Sequence, residues 1–411
     1  MTATALQQEE HLPEAIVCKW CGKSFHYLKS HISMGRCENI PESAKGLDVD
    51  EVVKMYTSAF PDEPTISRTA LAKLNEKRAE KHSGEGKVAE ISTHPGYAGT
   101  VEYKTELVAA HELLGVTIKE LGTPRGKPLQ VTVNVNTPYP EFVPEAKKNY
   151  VYGDFDLIKD IFMMLEIGIP GYLWGHAGTG KSSLPTQLCA LLNRPLIRAQ
   201  HTASMEEAHV TGQILARDGS TYFEPGLLAL AMKNGWVYLA DEYDFAFPQI
   251  LGVYQPVLEG EPLIIKEATP DWRRITPHKR FAFIGTGNTN GSGDETGLYQ
   301  GTNIQNAANF SRFGIVSNVK YMSTKAEVNM LAEAGVIREY AEKMVKFANL
   351  VREGYEQHLI SQPIGPRELL LSAKIGMMRG DFSAGIEKSF INKLPSTSAQ
   401  AAREVFQKIF G

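Results

Sequence analysis

The stretch Gly175-His176-Ala177-Gly178-Thr179-Gly180-Lys181-Ser182 constrains the fold more than any other part of the chain. It matches G-x-x-x-x-G-K-[ST], a loop whose backbone N–H groups curl around an anion. The apolar run Tyr172-Leu173-Trp174 before it reads as a short buried strand, and Lys181 to Leu192 has helical spacing. Strand, glycine-rich turn and helix N-terminus together place positive partial charge at one point, which suits a phosphate. The pattern predicts that the backbone from Gly175 to Ser182, continuing into Ser183, cradles ATP. Lys181 would reach the β- and γ-phosphates, and the Ser182 hydroxyl would sit on Mg²⁺.

A chain of 411 residues has room for two or three domains. Its 43% hydrophobic and 22% charged content is that of an ordinary globular chain. The net charge of −4 gives no general attraction to nucleic acid. No apolar run approaches a membrane span, and the first ten residues are polar, so a cytoplasmic chain without membrane contact is expected. Of the four cysteines, Cys189 falls in the helix after the loop and reads as a small core residue. The other three crowd near the N-terminus.

There the spacing is Cys18-x2-Cys21-x9-His31-x5-Cys37. A C-x2-C knuckle with two later ligands is an arrangement for tetrahedral Zn²⁺. So short a segment cannot bury enough apolar surface alone, and Phe25 and Leu28 would add a small cluster beside the metal. His26 is also within reach of the ligand set. It ranks below His31 because Phe25 to Ile32 looks helical and His31 projects from the later turn. The run from Val17 to Phe25, followed by Leu28-Lys29-Ser30-His31, resembles the Ros/MucR-type zinc finger, and Val49 to Tyr56 is similar to its trailing helix. That family usually places a second histidine where this chain has Cys37. The resemblance implies DNA binding, although such fingers also serve as docking modules. Lys19, Lys23, Lys29 and Arg36 give a mildly basic face.

The region 45–140 carries less information. Asp48 to Phe60 and Arg68 to Lys81 read as helices, with Lys73–Glu76 and Lys77–Glu80 as candidate pairs. Ser83-Gly84-Glu85-Gly86 reads as a flexible link, and Val131 to Val135 alternates like a strand. The region is either a small adaptor domain or a tether.

Beyond the phosphate loop, Trp236 to Ala240 is an apolar run closing on Asp241-Glu242. A buried strand would deliver Asp241 to Mg²⁺ and Glu242 to an attacking water, since such acids are costly unless metal or water satisfies them. Asp244 would support them or cap the next helix. The strand Phe281 to Ile284 leads to Asn288, placed to orient water between the γ-phosphate and Glu242. Arg312, before the strand Ile315 to Val319, cannot easily reach its own loop and would serve a neighbouring subunit's nucleotide. Arg367, opening a helix with Pro366, would reach the nucleotide from a lid. Hairpins are expected at Thr211–Phe223, with its turn at Arg217–Ser220, and near Leu263–Ile275.

This order of motifs resembles an AAA+ ATPase. The segment from about Val143 to Tyr321 is similar to the cobaltochelatase small subunit (CobS) within the MoxR-like branch. The phosphate loop, Asp241-Glu242-Tyr243-Asp244 and the stretch Gly293 to Thr302 carry that likeness. CobS-like ATPases of this sort also occur in bacteriophages. The resemblance implies an α/β fold: an αβα sandwich with a parallel sheet (141–322), a helical lid (323–411), an N-terminal zinc finger (1–44) and the connecting region 45–140. It further implies a hexameric ring and a partner with a von Willebrand A domain. Three functions follow from it: remodelling of a partner protein, metal insertion by a cobalt chelatase, or ATP-driven work on DNA complexes.

Overall fold

The computed structural model describes residues 12–61, 63–70, 72–73, 92–93, 101–217 and 219–411, and the chain divides into two compact units, 1–90 and 91–411. In the first unit, β1 (Ile16–Val17) and β2 (Ser24–Phe25) pair antiparallel, with Ile16 opposite Phe25. Helix α1 (Leu28–Ser33) and helix α2 (Val49–Ala59) follow, the latter capped by the Asp48 side chain. The helix expected from Phe25 therefore starts three residues later. Pairing in β2 puts the Phe25 ring under the His31 imidazole, stacked at 5.2 Å, which an earlier helix start would prevent. Val52 and Tyr56 of α2 share one small core with Ile16, Phe25, Leu28 and Ile32. The boundary drawn at residue 44 falls inside that core. The candidate pairs of residues 73–80 and the link 83–86 lie outside the described residues.

In the second unit, β3 (Ser92–Thr93) is followed by an antiparallel pair, β4 (Thr105–Ala109) and β5 (Gln130–Asn134), with two short helices between its strands. The strand expected around Val131 is β5. Val131 is fully buried against the α/β core, and Asn134 and Asn193 exchange two side-chain-to-backbone hydrogen bonds of 2.8 and 2.9 Å. Residues 101–140 are thus packed structure rather than tether.

The central sheet is parallel and five-stranded. Its strands are β6 (Gly171–Trp174), β7 (Leu196–Gln200), β10 (Val237–Asp241), β13 (Ala282–Gly287) and β14 (Ile315–Asn318), in the order β14-β6-β13-β10-β7. All residues of β10 are buried, which is why its sequence is a continuous apolar run rather than an alternating one. On one face Leu239 and Ile284 meet α3 (Phe155–Ile167) and α4 (Ser183–Leu191). On the other, Tyr238 and Phe283 meet α5 (Leu227–Asn234). The hairpins are β8 (Gly212–Arg217) with β9 (Ser220–Pro225), where Arg217 lies opposite Ser220, and β11 (Leu263–Ile264) with β12 (Arg274–Ile275).

The C-terminal lid contains α6 (Thr324–Glu333), α7 (Arg338–Glu356), α8 (Pro366–Arg379), α9 (Phe382–Ser389) and α10 (Ser396–Phe410). Its own core includes Met344, Phe347, Val351, Leu369 and Ile386. Glu327 of α6 is fully buried and takes two bonds, 2.8 and 2.7 Å, from Arg352 of α7. Such a pair persists in the interior only with both partners present.

Candidate active site

Strand β6 ends at the phosphate loop, beside β13 and one strand away from β10, where ligands of open parallel sheets bind. Gly175 has φ +148°, and a Cβ there would lie 2.4 Å from the Val319 carbonyl oxygen, so the loop's first turn requires glycine. The Lys181 ammonium donates to the carbonyls of Gly175 (2.7 Å) and His176 (2.9 Å) and to Asn288 Oδ1 (3.1 Å). Burial pulls it down to about 8, although Asp244, Asp241 and Glu242 push the other way. An arriving phosphate would restore the charge that burial disfavours.

Asp241 sits at the end of β10, only 2% exposed. Its Oδ1 accepts from Ser182 and Thr286 hydroxyls, each at 2.5 Å, and its Oδ2 accepts from Arg198 Nε at 2.7 Å. Burial alone would push this carboxyl up, but the bonds from Ser182, Thr286 and Arg198 together hold it below the ordinary aspartate range. Glu242 stands next in the chain with φ +53°, a left-handed conformation costing a non-glycine residue about 1 kcal/mol. Gln200 Nε2 donates to its carboxylate. Burial first, then Asp241 and Asp244, raise Glu242. Asp244 is fully buried, and its Oδ2 accepts from the Asn288 and Thr289 backbones (2.8 and 2.9 Å) and the Thr289 hydroxyl (2.9 Å). It therefore supports the Asn288 turn rather than capping the next helix. Its Oδ1 has no partner among the described residues.

These groups open on a cleft of about 710 Å³. Tyr150, Met322, Met330 and Leu370 also line it, with Lys147, Lys148, Glu145 and Glu333, a mixed surface whose apolar and aromatic part could hold a nucleobase. Arg367, at the start of lid helix α8, also lines it. Gly365 just before that helix packs so tightly on the loop that a Cβ would lie 2.9 Å from the Ala177 carbonyl. The Gly293–Thr302 stretch contributes Tyr299, whose hydroxyl accepts from Ala177 N–H at 3.1 Å and lies 2.9 Å from His176 Nδ1. His176 stacks on Tyr321 at 5.8 Å, and Arg352 of the lid lies 4.0 Å over that same ring.

The structure thus brings together Ala177–Ser183, Asp241, Glu242, Asn288 and Arg367 around the cleft, with Gly175 and His176 joined through their carbonyl bonds to Lys181. Arg312 is not with them. Its Nε bonds Glu259 at 2.7 Å and its Nη1 bonds the Ala308 carbonyl. Arg198, Gln200, Thr286 and Tyr299 are site residues that motif spacing does not single out. The alternation of Arg198 and Gln200 in the apolar strand Leu196–Gln200 is the signal that marks the first two. The donor set fits Mg²⁺, because Ser182 and Asp241 converge as hard oxygen ligands at the helix N-terminus. Bound there, the ion would neutralise phosphate charge.

In the first unit, the ligand atoms of Cys18, Cys21, His31 and Cys37 all lie within 4.8 Å of one another. Cys18 Sγ and Cys37 Sγ are 3.8 Å apart, the separation of two thiolates about 2.3 Å from a tetrahedral Zn²⁺. Cys21 Sγ is 3.3 Å from His31 Nε2. Burial lowers His31, which keeps the imidazole neutral as a ligand must be. His26 instead bonds Ser67 Oγ at 3.0 Å. Lys19, Lys23 and Lys29 each pair with an acid, namely Glu63, Glu38 and Asp50, so the expected basic face is largely neutralised.

The AAA domain (dynein-related subfamily) family matches residues 172–302. The chain is 32% identical over 249 residues to the aerobic cobaltochelatase subunit CobS of a Sinorhizobium species, covering 58% of this chain and 74% of that one. It is 23% identical over 265 residues to an uncharacterized protein of Staphylococcus aureus strain NCTC 8325, covering 62% and 96%. Among solved structures, the RuvB Holliday junction branch migration motor of Thermotoga maritima is similar, with TM-score 0.36, 14% identity, and 60% and 72% of the two chains covered.

Proposed function

The chain belongs to the AAA ATPases of the CobS type, and from that premise we propose that it forms a ring in which ATP hydrolysis remodels a partner protein. One observation carries the reading: Arg312 stands outside the cleft that gathers Lys181, Glu242 and Asn288. An arginine finger that stands outside its own cleft is one that a neighbouring subunit's cleft can receive. Each subunit would present Arg312 to the next, in a hexamer, with Glu259 holding the guanidinium until then. Within a subunit, Glu242 activates water, Asn288 orients it, and Lys181 and Arg367 stabilise the phosphates.

Closure of the lid would be felt at the loop through Gly365 and through the stack of His176, Tyr321 and Arg352. The zinc-bound unit serves to recruit the substrate. Its neutralised lysines favour a protein over DNA as what it meets. The partner is one carrying a von Willebrand A domain, in keeping with the resemblance to MoxR-like ATPases. A second reading, the ATPase subunit of a cobalt chelatase, is favoured by the 32% identity to CobS.

The Glu242→Gln protein with ATP separates these. It should form a ring by light scattering and retain its partner protein on a column. A monomer under saturating ATP would contradict the ring. Retention of a tetrapyrrole-binding protein instead of an adhesion-domain protein would favour the chelatase.

A further inference from the structure

Arg198 lines the cleft and bonds its buried aspartate, and no sequence motif accounts for it. It lies on β7, which among the described residues is an edge strand paired only with β10, directly opposite Leu239. Residues alternate faces along a strand, so Arg198 shares a face with Asp241, two residues beyond its partner. A long side chain spans that diagonal, and Arg198 places Nε at 2.7 Å, and Nη2 as well, on the single oxygen Oδ2 of Asp241. The Ser182 and Thr286 hydroxyls occupy Oδ1. Asp241 is 2% exposed and thus has its acceptor capacity filled by protein groups.

The guanidinium is not itself buried. The Arg198 side chain is 56% exposed and lines the cleft with Lys181, Glu242 and Asn288. A carboxylate serving Mg²⁺ or its waters needs a free oxygen. Here the oxygen is covered by a cation that can swing away at little cost, because its far side is already in water. Once released, its planar donor fork remains in the cleft that the phosphate loop also lines, and guanidinium–phosphate pairing is strong and bidentate.

We propose that Arg198 is a nucleotide-binding residue of its own subunit: it holds Asp241 while the cleft lacks Mg²⁺ and transfers to the terminal phosphate when Mg·ATP enters. The site then carries a stand-in for the ion's charge, and metal and guanidinium exchange places on one carboxylate.

Binding of a fluorescent ATP and a fluorescent ADP to the full chain, titrated with Mg²⁺, tests this without turnover. In Arg198→Met, the Mg²⁺ concentration giving half-maximal ATP binding should fall several-fold, since a competitor has gone. The preference for ATP over ADP should shrink by about tenfold, the scale of a charge-assisted hydrogen bond. Either quantity unchanged in a variant with the wild-type melting temperature overturns the proposal. If the Met variant does not fold, Arg198→Lys decides. One ammonium cannot make the double contact, so its Mg²⁺ midpoint should fall while ATP preference persists, and an unchanged midpoint overturns the proposal. Failure of the wild-type chain to bind ATP at all would overturn the ATP site together with it.

Discussion

Cys18, Cys21, His31 and Cys37 come from one short stretch of the first unit, whereas Lys181, Asp241, Asn288 and Arg367 converge from separate elements of the second. The first constellation is local in sequence and poor in core: a few residues such as Ile16, Phe25 and Tyr56 pack around it. The second is distributed over the chain, but rests on a five-stranded sheet with an apolar layer on each face. The difference teaches which part holds which. In the first unit four ligand-type side chains gather beside a small core, an arrangement that a metal could organise, as in small domains that cannot bury enough surface. In the second the protein organises the site, and the ligand arrives at positions already set by strand register.

The largest expected effect strikes the distributed site alone. Lys181→Ala should weaken ATP binding by about a hundredfold or more, read by fluorescent-nucleotide titration, while zinc content stays at one equivalent. Unaltered affinity would remove the phosphate loop from the account. A comparable loss strikes the local site alone. Cys18→Ser, or a zinc-selective chelator, should expose residues 12–70 to protease while ATP binding is retained. Full protection without zinc would show that the small core suffices by itself. Next comes Glu242→Gln, which should keep ATP affinity and lower turnover by roughly a hundredfold, measured by phosphate release. Equal turnover would move the base elsewhere. The smallest effect is expected from Tyr299→Phe. It removes the acceptor of Ala177 N–H and should cost about 1 kcal/mol, a few-fold in ATP affinity.

The same contrast explains what could be read from sequence. Spacing within one stretch is visible, so the cluster of Cys18, Cys21, His31 and Cys37 and the loop Gly175–Ser182 were legible directly. The parallel sheet was legible because its central strands are apolar runs, and Asp241, Glu242 and Asn288 because each follows such a run. What spacing cannot show is a partner on the neighbouring strand of the sheet. Arg198 reaches Asp241 only because β7 pairs with β10 in the observed register. Thr286 joins because β13 pairs with β10 on the other side. Tyr299 was visible as part of a distinctive stretch, but its hydroxyl bond to Ala177 depends on how the 293–302 segment folds back, with Asp294 accepting from the Tyr299 backbone at 2.8 Å. The start of α1 was misplaced because Phe25 gains more from pairing in β2 and stacking on His31 than from one more helical turn.

The central claim is that one chain holds only half of a hydrolytic site. Mixing two inactive proteins tests it most directly. Arg312→Ala keeps its own Glu242, and Glu242→Gln keeps its own Arg312. In a mixed ring, an Arg312→Ala cleft beside a Glu242→Gln neighbour has every group it needs. Phosphate release should therefore reappear on mixing and peak near equal proportions. Mixtures that stay as inactive as their components at every ratio would contradict the claim.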